Sequence, residues 1–104
     1  MQTSTAPQRP VTAFLPINTL MLQAIKKVEQ VIHELGRRGF AVASIDMSSP
    51  AYPTVRIQTS ARCVQLIESG QAAYFSFGQG QIGRYREGQF RLDGCRVVWT
   101  ENAN

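Results

Sequence analysis

The stretch "QFRLDGCRVVWTE", Gln89–Glu101, decides the fold. Asp93-Gly94 lies between two runs of alternating apolar and polar residues. A two-residue type I′ turn needs positive φ at both central positions, and Asp-Gly tolerates that geometry. The spacing therefore predicts a β-hairpin in which Phe90 and Leu92 share a face with Val97 and Trp99, or with their neighbours, according to register. Such short connections leave no room for a crossover, which disfavours a doubly wound parallel sheet.

Upstream, "AAYFSF" (Ala72–Phe77) leads into "GQGQIG" (Gly78–Gly83), and "IGRYRE" leads to Gly88. Gly78, Gly80 and Gly83 formally match the glycine fingerprint that cradles a dinucleotide pyrophosphate. That fingerprint must follow a strand and open a helix, so that the helix N-terminus faces the phosphates. A strand is expected here, but "GRYREGQF" has no helical period. The three glycines are read as a loop between antiparallel strands, and no cofactor is expected.

Toward the N-terminus the period changes. Ile17, Met21, Ala24, Val28, Val31 and Leu35 recur at spacings of four and three, with Leu20, Ile25 and Ile32 widening the stripe. This is the pattern of one long amphipathic helix. Asn18 or Thr19 is expected to cap its start, Arg37 and Arg38 to complement its C-terminal dipole, and Gly36 or Gly39 to end it. "FAVASIDMS" and "TVRIQTS", separated by "SPAYP", read as two strands of an antiparallel hairpin. Thr59 or Ser60 then caps a short helix, Ala61–Ser69, with Cys63, Leu66 and Ile67 facing inward.

The order α-β-β-α-β-β-β defines an α+β fold: an antiparallel, twisted sheet of four to five strands packed on one long N-terminal helix and one short helix. With 104 residues, 43% of them apolar, the chain has enough material for one core. Residues 1–16 carry three prolines and three threonines. They are expected to form a flexible tail ahead of a single domain over residues 17–101. No apolar run is long enough to span a bilayer, so no membrane partner is expected. Cys63 and Cys95 show no metal or redox spacing and read as reduced, buried residues in a cytoplasmic protein.

A formal net charge of +4 is a mild basic bias. Arg84 and Arg86, two apart on one strand, point to one face, while Arg91 and Arg96 flank the Asp-Gly turn. If all four share the solvent face with Tyr85 nearby, that surface can grip phosphates or an acidic partner. The competing reading is that they are solubilising, edge-blocking groups. Arg62, in the first turn of the short helix beside Thr59 and Ser60, is a further candidate for holding an anion or a partner's carboxylate. The single histidine, His33, follows Glu29 by one helical turn, which reads as a solvated pair. No catalytic, cofactor or metal constellation is visible.

"SARCVQLIESGQA" followed by "GRYREGQFRLDGCRVVW" resembles the small accessory proteins of bacteriophages and prophages of Gram-negative bacteria. The resemblance spans mainly Ser60–Trp99, rests on general style, and brings no site residues. It implies a cytoplasmic protein of the bacterial host that binds and modulates a host or phage protein. The sequence thus points to a small, non-enzymatic binding or regulatory protein acting through protein–protein contacts, with homodimerisation as a secondary option. The alternative is a nucleic-acid-binding module using an arginine-bearing sheet face.

Overall fold

The computed structural model describes residues 15–102. It contains α1 (Pro16–Arg37), β1 (Val42–Asp46), β2 (Thr54–Ile57), α2 (Ala61–Glu68), β3 (Ala73–Gly80), β4 (Gly83–Leu92) and β5 (Cys95–Asn102). The strands form one five-stranded sheet in the order β1-β2-β5-β4-β3. The expected α+β fold and its element order are therefore present. Residues 1–14 of the expected tail lie outside the described residues, and Pro16 already belongs to the helix.

The Asp-Gly turn forms as the sequence requires. Asp93 has φ 47° and Gly94 φ 83°, and Leu92 faces Cys95 while Phe90 faces Val97. These side chains join Val55, Ile57 and Trp99 in the core, against Val28, Val31 and Leu35 of α1 and Cys63 of α2. Both helices thus cover the same face of the sheet. The opposite face carries Arg56 of β2, Arg96, Val98 and Thr100 of β5, and Glu87, Gln89 and Arg91 of β4. No helix covers it among the described residues.

Three local expectations need correction. The N-cap of α1 is Leu15, not Asn18 or Thr19, and no side chain caps it, because Pro16 opens the helix; proline has no N–H to satisfy and its φ is already helical. Ser60 holds the N-cap position of α2 but makes no capping bond; its hydroxyl lies 3.7 Å from the Cys63 Sγ. The β2–β5 pair is parallel, because α2 and the β3–β4 hairpin intervene and return the chain alongside β2 in the same direction. The other pairs are antiparallel.

The glycine stretch does connect two antiparallel strands, as expected, but the connection is shorter than a loop over Gly78–Gly83. β3 continues through Gly78 to Gly80, and β4 runs unbroken through Gly88, so the turn contains only Gln81 and Ile82. Two of these glycines serve packing. Gly78 faces Tyr85, and a Cβ there would lie 2.5 Å from the Tyr85 ring. Gly88 faces Trp99, and a Cβ there would lie 2.3 Å from the indole. Each missing side chain leaves the floor on which a cross-strand aromatic ring lies.

Candidate functional site

The six arginine and tyrosine positions picked out by the sequence separate into three places. Arg84 and Arg86 lie on the helix-bearing face, since Arg86 is opposite both Phe77 of β3 and Glu101 of β5. Arg91 and Arg96 face each other on the open side. The four guanidinium groups therefore do not share one surface. Inward and outward residues alternate along β4, and two arginines at even positions cannot lie on the same face as one at an odd position.

Around Arg86 the structure is well ordered by polar contacts. Glu101 accepts hydrogen bonds from the Trp99 indole N–H at 2.8 Å, the Tyr74 hydroxyl at 3.0 Å and Arg86 Nε at 3.0 Å. Arg86 also lies over the Tyr74 ring, 4.2 Å from its centroid. Burial raises the pKa of Glu101, but the donors Trp99, Arg86 and Tyr74 outweigh it and hold the carboxyl below the usual range. Burial, together with the Glu101 hydrogen bond and charge, pushes the Tyr74 phenol up.

Beside this cluster is a cleft of about 320 Å³, lined by Phe77, Arg84, Tyr85, Arg86, Glu101 and Asn102 together with Gly78. It opens past the end of β5. The last β4–β5 pair is Tyr85–Asn102, whereas β4 continues to pair with β3 as far as Gly83–Gly80. Glu101, Phe77 and Asn102 are absent from the residues that the sequence singles out. Their signal is the even spacing of Trp99 and Glu101, which puts a carboxylate next to the indole N–H.

On the open face, Arg96 Nε donates to Gln89 Oε1 at 2.6 Å and its guanidinium lies 4.4 Å from the Phe75 ring centroid. Arg91 lies 5.7 Å from the Tyr52 ring centroid. Arg56, which the sequence does not single out, donates to Thr100 at 2.8 Å and to Glu87 at 3.2 Å. This network covers Val98, which is buried although it faces away from the helices.

Arg62 lies elsewhere again. A Cβ on Gly39 would come within 2.7 Å of Arg62 Nε, so this side chain runs across the turn that ends α1. A cation there complements the negative end of the α1 dipole. That accounts for an arginine in the first turn of α2 without an anionic ligand. Cys63 and Cys95 are free and buried, and burial pushes both thiols up. His33, by contrast, is exposed on α1. No group of His, Cys, Asp and Glu suited to a metal occurs among the described residues.

A last feature is apolar. The buried positions of α1 are Ala24, Val28, Val31 and Leu35. Beside them Ile25 and Ile32 remain 50% and 36% exposed, and Ile45 of β1 is 42% exposed. With Met47 they line a groove of about 370 Å³ between α1 and β1, with Glu29 and His33 on its rim. β1 is an edge strand, and "VASID" contains neither the lysine nor the proline that commonly blocks an edge.

A family model described as "Uncharacterised protein" matches residues 11–102, and the chain belongs to that family. No curated protein and no solved structure matches the chain. No helix among the described residues is long and apolar enough to cross a membrane.

Proposed function

We propose that this chain is a binding protein that works through protein–protein contacts, with a second copy of itself as its first partner. The observation that carries this reading is the exposed Ile25, Ile32 and Ile45 surface lying directly beside the β1 edge strand. A two-fold axis perpendicular to the sheet would pair β1 with β1 of a second copy, antiparallel. It would keep both α1 helices on the same side, so that the two grooves close on each other. One surface then supplies both backbone hydrogen bonds and apolar burial, and the contact is self-complementary. By the resemblance to phage and prophage accessory proteins, a further partner is a protein of the bacterial host cytoplasm.

Sedimentation equilibrium at micromolar concentrations is expected to give a dimer. Replacing Ile25 and Ile32 together with aspartate should raise the dissociation constant by about 30-fold or more, the loss expected from removing an interface anchor worth about 2 kcal/mol. Both side chains are exposed in the single chain, so the circular dichroism spectrum should not change. A wild-type chain that stays monomeric at every accessible concentration contradicts the reading.

A second reading, nucleic-acid binding on the open sheet face, draws support from Arg91 and Arg96 standing opposite each other near the Tyr52 and Phe75 rings. Guanidinium and aromatic groups on one bare sheet suit a single strand, whose phosphates and bases need both. If it holds, single-stranded DNA is retarded at low salt, and Arg91→Ala with Arg96→Ala lowers the slope of log affinity against log salt by about 1.4, two contacts at about 0.7 each. An unchanged slope excludes those two contacts.

A further inference from the structure

The cleft past the end of β5 presents two guanidinium groups and an exposed ring from three neighbouring strand positions. Arg84 and Arg86 project from the same side of β4, about 7 Å apart at the backbone as residues two apart on a strand must be. Phe77 is directly opposite Arg86 and is 71% exposed, although it lines the cleft. Its neighbour Tyr74 is 6.0 Å away between ring centroids and is already covered by Arg86.

The two arginines are prepared differently. Arg86 is fixed by Glu101 at Nε and by the Tyr74 ring on its flat face. Arg84 has no hydrogen-bond or ion-pair partner among the described residues. The nearby carboxylate of Glu101 is engaged by three donors, and the pair of arginines leaves the cleft net positive. A single carboxylate fills one guanidinium fork, whereas two forks at one cleft match the several oxygens of a phosphate group. The exposed phenyl beside them supplies a stacking surface that a bare phosphate does not use. A volume of about 320 Å³ is within the range of small-ligand pockets.

We infer that this cleft binds a mononucleotide, with its phosphate held between Arg84 and Arg86 and its base on Phe77. The contacts come from side chains. Of the Gly78–Gly83 stretch, Gly78 lines the cleft, and the Tyr85 ring occupies the space a side chain there would fill. The cleft shares no residue with the α1–β1 groove and includes neither Arg91 nor Arg96 of the open sheet face, so it stands or falls independently of both readings.

The test is titration of the full chain with adenosine 5′-monophosphate, adenosine and inorganic phosphate. It is followed by calorimetry and by the fluorescence of Trp99, the single tryptophan, whose indole N–H is bonded to the Glu101 of the cleft. The monophosphate is expected to bind saturably. Adenosine and phosphate should each bind at least about tenfold more weakly, and Arg84→Ala and Phe77→Ala should each weaken the monophosphate about tenfold. Both replaced side chains are exposed, so thermal melting should be unchanged, and Arg91→Ala, on the other face, should leave affinity unaltered. No saturable binding of the monophosphate overturns the inference. So does equal affinity for phosphate alone, or indifference to both substitutions.

Discussion

Replacing Gly88 with alanine is expected to destabilise the domain by about 3 kcal/mol, although alanine ordinarily suits a strand better than glycine. The reason lies in one contact. A Cβ at position 88 would be 2.3 Å from the Trp99 ring, and Trp99 is fully buried against the core. The ring cannot lift away, because its indole N–H is held by Glu101 and its other neighbours include Phe90 at 6.3 Å between centroids. Overpacking must therefore shift backbone. The sign should reverse once the ring is removed: in a Trp99→Leu background, itself less stable, Gly88→Ala should be neutral or slightly stabilising. Urea denaturation of the four proteins in this cycle measures the coupling, expected at about 3 kcal/mol. Simple additivity would mean that Gly88 and Trp99 are not packed as described.

This pair also shows where sequence reading reaches and where it stops. The Asp93-Gly94 turn, the α1 stripe and the element order are legible because each depends on local geometry: two positive φ values, a 3.6-residue period, short connections. Gly88 looks like a strand breaker because its purpose depends on Trp99, a residue that becomes a neighbour only once the β4–β5 register exists. Gly78 and Tyr85 are obscure on the same ground. The parallel β2–β5 pair is not legible either, since strand order depends on how the intervening α2 and β3–β4 segments pack, and no local signal records it.

The arginines illustrate the same limit at the level of the site. Spacing along one strand correctly places Arg84 with Arg86. It cannot relate them to Arg91, whose odd offset sends it to the other face, or to Arg96 across the turn. Nor can it show that Arg56 joins Arg96 on the open face, because β2 meets β5 only through the parallel pairing. Charge density along the chain therefore overstates a single basic surface, and the helix-bearing and open faces each receive part of it.

Glu101→Gln is expected to cost about 2 kcal/mol, and its acid dependence should identify the cause. The carboxylate accepts from Tyr74 and Arg86 on Oε1 and from Tyr74 and Trp99 on Oε2. A glutamine keeps one acceptor oxygen and turns an NH2 group toward a donor, leaving either the indole N–H or the guanidinium without its bond. Burial pushes the Glu101 carboxyl up, but the Trp99, Arg86 and Tyr74 hydrogen bonds prevail and hold it below the usual range. A carboxyl with a depressed folded-state pKa adds stability that is fully present above its unfolded value and is lost as pH falls through its folded value. Wild-type stability should therefore decline on acidification below the ordinary carboxylate range, and the Glu101→Gln protein should lose part of that slope. Glu34 and Asp46 also have lowered values, the first through Arg38 and Arg37 and the second through Ser48. They are common to both proteins, and the difference between the two pH profiles isolates Glu101. Parallel profiles with unequal stability would show that the substitution acts through packing and not through charge. The same measurement bears on the cleft, since Glu101 fixes Arg86: a loosened Arg86 should weaken monophosphate binding in Glu101→Gln even at neutral pH, where the protein remains folded.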